Sequence, residues 1–137
     1  MTIQETQEKI IKEFENLHNW EDRDNYLIQL GRNFPPIDSK YKIEENLING
    51  CQVKTWFHFT FQNGKVFYNI DSSSVIIRGI ISLMIRILSG QTLEDIKNAN
   101  LYFIEKTGLE ESFSPIRANS LWKLINKMKK VEDKNLT

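Results

Sequence analysis

One cysteine, two histidines and one oddly placed arginine are the residues of this chain whose types and spacing point to chemistry. Cys51 is the only thiol among 137 residues and lies in the stretch NGCQVKTW (49 to 56), after an Asn-Gly pair and ahead of the most strand-like segment. A lone cysteine forms no internal disulfide, and no CxxC or Cys/His cluster offers metal-ligand spacing. The commonest role for such a residue is a small buried hydrophobe. A loop ahead of a strand is also where a scaffold presents a reactive group, so a second role stays open.

A cysteine hydrolase needs a histidine within hydrogen-bond reach to generate its thiolate, and only His18 and His58 are available. If 53 to 61 is one strand, His58 lies on the order of 20 Å along it from Cys51, at ~3.3 Å per residue. His58 then reads as a sheet residue opposite Asn69, and His18 as a solvated imidazole at a helix end. The other chemistry treats sulfur as cargo: a thiolate attacks the terminal sulfur of another protein's persulfide and becomes a persulfide itself. That exchange asks of this chain one accessible cysteine, with the acid-base groups supplied by the donor. Arg117 is the other hint. Ser114 as N-cap and Pro115 as N1 place it at N3, where the helix dipole disfavours a cation. Pairing with Glu110 or Glu111 is the structural alternative.

These residues must be positioned by a single domain spanning 1 to 137, a length that buries one sizeable core without staples. Lys plus Arg and Asp plus Glu both total 18, which gives no electrostatic case for nucleic acid or an anionic membrane. KMKK (127 to 130) reads as the solvated end of a helix. The start, MTIQETQEKIIKEF, has no basic and apolar leader pattern, and with the single thiol the expectation is the cytoplasm.

The apolar spacing of Ile10, Phe14 and Leu17, and a capping box at Asn19 and Asp22, predict two helices within 2 to 31, with Gly31 as the C′ residue and Pro35-Pro36 as a stop. A sheet follows over 44 to 70. It comprises a short strand at about 44 to 49 and a hairpin, 53 to 61 with 65 to 70, turned by Asn63-Gly64 as a type I′ pair. That turn sets Gln62 opposite Lys65, Phe61 opposite Val66, Phe59 opposite Tyr68 and Phe57 opposite Ile70, a face expected in the core. The face with Trp56, His58 and Phe67 is left to a covering helix or to a partner. Helices fill 74 to 131. The first, around IIRGIISLMIRIL, is apolar except for Arg78, Ser82 and Arg86; it is too short and too charged for a bilayer, which takes roughly twenty apolar residues. Gly79 inside it points to a close approach by a neighbour. Thr92 with Asp95, Asn100, and Ser114-Pro115 are expected to open the remaining helices. The sum is an α+β fold, a small antiparallel sheet packed with five to six helices.

Taken together, ENLINGC with Trp56, then NIDSS followed by IIRGI, then GQTLEDI, then SPIRANSL, resemble the SufE family of cysteine desulfuration proteins in order and spacing. NWEDRDNYLIQLGRNFP is similar to the family's opening helix pair, so the resemblance covers most of 10 to 130. It implies that Cys51 accepts sulfur from a SufS-type cysteine desulfurase, stimulates that enzyme and passes the sulfur to a SufBCD-type cluster scaffold. It implies that the chain is not a stand-alone enzyme and holds no cofactor, the pyridoxal phosphate belonging to the desulfurase. Gly50 and Gln52 would shape the cysteine loop, Asp71 would sit in the family's acidic turn, and Arg117 would match the arginine of its S-P-x-R motif, for partner docking. A homodimer is implied as well. The chain departs from the family pattern at Val53, where a small polar residue is usual, and at Ser73, where the turn's second acid is missing. The rival from another class is a non-catalytic interaction module that binds a partner through Trp56 and Phe67 and keeps Cys51 as filler.

Overall fold

The computed structural model describes residues 1–111 and 113–132. Helix α1 (Ile3–Phe14) opens with a capping box, Thr2 accepting from the Glu5 N–H while the Glu5 side chain accepts from Thr2 N–H. Helix α2 (Trp20–Asn33) is capped by Asn19, whose side chain accepts from Asp22 N–H at 2.9 Å, as its sequence predicts. Two single 3₁₀ turns (Ser39–Tyr41 and Glu44–Asn46) lead to strands β1 (Thr55–Gln62) and β2 (Lys65–Ser72). Then come α3 (Val75–Leu88), a two-residue β3 (Gln91–Thr92), α4 (Leu93–Asn98), α5 (Phe103–Thr107) and α6 (Pro115–Lys129). The fold is α+β: among the described residues, six helices around a three-stranded antiparallel sheet.

The hairpin has the register its turn dictates, from Gln62↔Lys65 through Phe57↔Ile70 to Thr55↔Ser72. Asn63 (φ 54°) and Gly64 (φ 77°) both take the left-handed conformation that a type I′ turn demands. On the inward face Phe57, Val66, Tyr68 and Ile70 are buried, with Phe59 and Phe61 half-buried at the rim. The core centres on α3, where Ile80, Ile81, Leu83, Met84, Ile87 and Leu88 are wholly inaccessible to solvent. Its polar stripe faces outward to other elements: Arg86 binds Glu13 of α1 in a two-pronged pair at 3.0 and 2.9 Å, while Arg78 reaches the end of α2.

Three local expectations are corrected. Residues 44 to 49 are no strand. Leu47 makes an isolated antiparallel bridge to Trp56, and Glu44–Asn46 coils away, because the Asn46 side-chain amide donates to Tyr41 O at 2.9 Å and offers the chain a local alternative to the ladder. The third strand is Gln91–Thr92, paired with Val66 and Lys65. Gly31 does not end α2, which runs on to Asn33; it packs face to face with α3, and a Cβ there would lie 2.0 Å from Val75 O. Asn100 does not cap α5. The buried side chain of Gln7 on α1 does so from a distance, its Oε1 accepting from Phe103 N–H and its Nε2 donating to Asn100 O, both at 3.1 Å.

The outer face of the hairpin is neither covered by a helix nor left bare. The 39–42 connector lies over it, with Tyr41 stacked on His58 (ring centroids 4.2 Å, 23°) and Lys42 Nζ 5.4 Å from the Trp56 ring centre. The Trp56 surface that an interaction module would use is thus partly occupied by the chain's own connector.

Candidate functional site

Cys51 sits on a six-residue loop, 49 to 54, pinched at its base. Ile48 N–H donates to Thr55 O at 2.9 Å, and the Leu47–Trp56 bridge continues the closure. Gly50 turns the loop with φ +84°, a conformation in which any other residue is strained. Its carbonyl accepts from Asn119 Nδ2 of α6 at 3.0 Å, and Lys123 of the same helix lies against it, its Nζ 3.1 Å from where a Cβ would stand. Cys51 itself is half-buried against the core, Val53 is half-buried and Gln52 is exposed.

The far end of the loop is stapled to the turn after β2. Lys54 O accepts from Ser73 N–H and from Ser72 Oγ, each at 3.0 Å, and Thr55 Oγ1 donates to Val53 O at 3.3 Å. At Ser73 the backbone N–H is the group that holds the loop.

Asp71 is wholly buried beneath this turn. Its Oδ1 accepts from Ser72 N–H at 2.8 Å and from Arg78 Nη1 at 2.5 Å. Lys42 Nζ stands 3.2 Å from Oδ2 as an ion pair outside hydrogen-bonding geometry, so that oxygen is buried with charge compensation alone. Arg78 in turn donates from Nε to Gly31 O at 3.1 Å and from Nη2 to Phe34 O. The contacts of Asp71 therefore tie β2, α3 and the end of α2 together, and reach the cysteine loop only through Ser72.

Arg117 stands at N3 of α6 as its sequence predicts, its N–H donating to Ser114 Oγ at 3.2 Å. Its guanidinium pairs with Asp24 of α2 at 3.6 Å and lies over the Phe113 ring, 5.4 Å from the centre. It pairs with neither of the carboxylates anticipated: Glu111 faces Arg23 at 3.7 Å, and Glu110 accepts from Trp122 Nε1 at 2.9 Å. The helix that carries Arg117 delivers Asn119 two residues later to the cysteine loop. Asn119, Lys123, Asp24 and Arg78 are site residues that sequence reasoning missed. Asn119, Arg78 and Asp24 did lie within the quoted stretches, and for Arg78 a polar residue inside an apolar helix pattern was the available signal.

Among the described residues no histidine bonds the sulfur of Cys51. His58 is held on the outer face by Tyr41 and by Asn69 Nδ2, 3.4 Å from its Nδ1, and burial followed by the charge of Lys40 lowers its pKa. His18 is exposed. Among the described residues no cluster of His, Cys, Asp and Glu could hold a metal ion, and no helix is long and apolar enough to cross a membrane. What the site presents is one thiol on a braced loop beside a helix that supplies cationic and amide groups.

Comparison with known proteins gives the family. The profile of the SufE Fe-S metabolism associated domain matches residues 8–132. The chain is 32% identical over 124 residues to the SufE-like protein 1, chloroplastic/mitochondrial, of Arabidopsis thaliana, covering 90% of this chain but only 33% of that longer protein. It is 31% identical over 123 residues to the cysteine desulfuration protein SufE of Wigglesworthia glossinidia brevipalpis, covering 88% of this chain and 85% of the relative. The solution structure of a hypothetical protein from Thermus thermophilus superposes with a TM-score of 0.70 at 21% identity, over 90% of both chains, and shows the same fold. With a matching profile across nearly its whole length, the chain belongs to the SufE family, whose domain is associated with iron-sulfur metabolism.

Proposed function

We propose that Cys51 is a sulfur acceptor. It takes sulfane sulfur from the persulfide of a pyridoxal-phosphate cysteine desulfurase of the SufS type and hands it to a cluster scaffold of the SufBCD type. The observation that carries this reading is the placement of the only thiol: half-buried, on a loop pinned at both ends, with no acid or base bonded to it among the described residues. Acyl chemistry would need a resident base, whereas persulfide exchange does not. The Cys51 thiolate attacks the terminal sulfur of the donor's R–S–SH, a new S–S bond forms to Cys51, and the old one breaks. The electron pair leaves on the donor's sulfur as a thiolate. Oxidation state is conserved, so no outside oxidant or reductant enters. Partial burial suits such a cargo, since a persulfide shielded by the core is slower to meet stray thiols. Gly50 and Gln52 shape the loop in this reading, Asp71 braces it from below through Ser72, and Arg117 presents a cation on the helix beside it, for the donor to dock against. The chain holds no cofactor in this scheme, and works in the cytoplasm as an accessory protein.

The test is intact-protein mass spectrometry after incubation with a cysteine desulfurase and free cysteine, followed by peptide mapping. One added sulfur atom on the Cys51 peptide, removed by reductant and absent from Cys51→Ser, is the expected result. Cys51→Ser should keep the wild-type melting temperature within a degree or two and lose stimulation of the desulfurase. A serine variant that stimulates as well as wild type would sink the mechanism.

A further inference from the structure

Strand β1 is an outer strand of the sheet, whose order is β1-β2-β3. The two-residue turn makes Gln62 and Lys65 a hydrogen-bonded pair, so Gln62, Thr60, His58 and Trp56 direct their backbone groups at β2. Thr55, Phe57, Phe59 and Phe61 direct theirs outward. Thr55 O already holds Ile48 N–H and the Leu47–Trp56 bridge takes up the Phe57 N–H side, but among the described residues nothing bonds the backbone N–H or C=O of Phe59 or Phe61. Edge strands are ordinarily blunted by lysine, proline, a bulge or brevity. This one, TWFHFTFQ, runs eight residues with no charged residue, no proline and unbroken pairing. The chain lays Leu47 beside Trp56 but coils away at Glu44–Asn46, leaving the position beside Phe59 to Phe61 unfilled.

That edge opens onto a cleft of about 690 Å³ between β1 and the second half of α6. Ile48, Phe57 and Phe59 give it an apolar lining, and Lys123, Lys127 and Lys130 form a row along the helix side. Lys127 Nζ is 5.8 Å from the Phe57 ring centre, and among the described residues none of the three lysines is ion-paired. Glu45 and Glu132 also line the cleft and leave it net cationic. Asn49 and Lys123 belong to both the cleft and the surroundings of the cysteine loop.

We infer that the outer edge of β1 receives an extended, carboxylate-bearing segment of the sulfur donor, added as a fourth strand; this deepens the sulfur-acceptor reading and rests on it. The open donors and acceptors of Phe59 and Phe61 supply main-chain affinity, and the lysine row selects acidic side chains on the strand's cleft-facing side. A second copy of this chain fits less well, because pairing β1 with itself about a two-fold brings two lysine rows to one seam. The added strand lies in line with Leu47 and so runs beside the base of the cysteine loop, holding the donor next to Cys51.

The experiment titrates Cys51→Ser with a cysteine desulfurase and follows amide hydrogen exchange by NMR. Lys127→Glu/Lys130→Glu and Phe59→Pro are compared with Phe59→Ala in binding. Proline at 59 removes an outward N–H while sparing the β1–β2 ladder, as edge positions allow. The expected result is slowed exchange at Phe59 and Phe61 on binding. Affinity should fall about tenfold in the lysine variant and further in Phe59→Pro than in Phe59→Ala. If Cys51 takes up sulfur while the edge amides stay unprotected and the lysine variant binds like wild type, the edge proposal is wrong and the acceptor reading stands. If the chain neither binds a desulfurase nor takes up sulfur, both fall. Protection of the same amides in the protein alone, with a dimer in sedimentation, would assign the edge to a second copy and overturn the acidic-segment proposal.

Discussion

At the scale of single residues, the cysteine loop is held by contacts that differ in what they do. Gly50 is fixed by its backbone conformation, whereas Asn119 contributes one side-chain amide to an exposed carbonyl. Removing that amide leaves a carbonyl free to turn to water, so Asn119→Ala should cost no more than about 1 kcal/mol. The loop would gain freedom out of proportion to that cost. Alkylation of Cys51 by iodoacetamide is therefore expected to quicken several-fold while the urea midpoint barely moves. An unchanged alkylation rate would show that the base of the loop alone sets the thiol's exposure. Cys51 and the N3 position of Arg117 stood out in the sequence because each depends on a local rule, rarity for the one and counting from a Ser-Pro cap for the other. The role of Gly50, by contrast, entered only through the family resemblance, and its left-handed backbone was found in the structure. The partner of Arg117 was not legible, since Asp24 lies on a helix more than ninety positions away in the chain.

Among elements, the α2–α3 crossing is governed by two glycines. A Cβ on Gly79 would lie 2.1 Å from Leu27 O and one on Gly31 2.0 Å from Val75 O, both backbone atoms with nowhere to go. Gly79→Ala therefore has to separate the helices, and overpacking of this kind costs about 3 kcal/mol; calorimetry should show a clear drop in melting temperature in a chain that otherwise folds. The α1–α3 tie behaves differently. The hydrogen bonds from Arg86 hold the Glu13 carboxyl below 4.5, and burial with the Glu13 bond pushes the Tyr26 hydroxyl up to about 12. An unfolded chain returns Glu13 to 4.5, so just below that pH the folded state binds fewer protons. The tie's contribution is complete above pH 4.5 and fades as pH falls through the folded value. Glu13→Gln should then be less stable than wild type at neutral pH, with a gap that narrows on acidification; a gap independent of pH would contradict the linkage.

Over the whole molecule, Asp71 is the point where β2, α2, α3 and the 39–42 connector meet. Asp71→Ala strands Arg78 beside a buried hole and frees Lys42, a loss of about 3 kcal/mol if one side of a buried pair is removed. Urea unfolding measures it, and a cost below about 1 kcal/mol would mean that Arg78 is held by the carbonyls of Gly31 and Phe34 alone. The sequence by itself determined the hairpin and its register, the apolar central helix, the helix caps at Asn19, Thr92 and Ser114, and the singular thiol. All of these follow from contacts within a few residues or from the two-fold and 3.6-fold periods of strand and helix. Only the tertiary structure decided that Gly31 lies inside a helix, that 44 to 49 turns away from the sheet, that Gln7 caps α5, and that Asn119 reaches Gly50. Gly31, Gln7 and Asn119 depend on groups brought together from distant parts of the chain, where local propensity is outweighed by a close backbone approach or a side-chain amide that no short window contains, and at 44 to 49 a side-chain bond from Asn46 to Tyr41 O competes with the ladder.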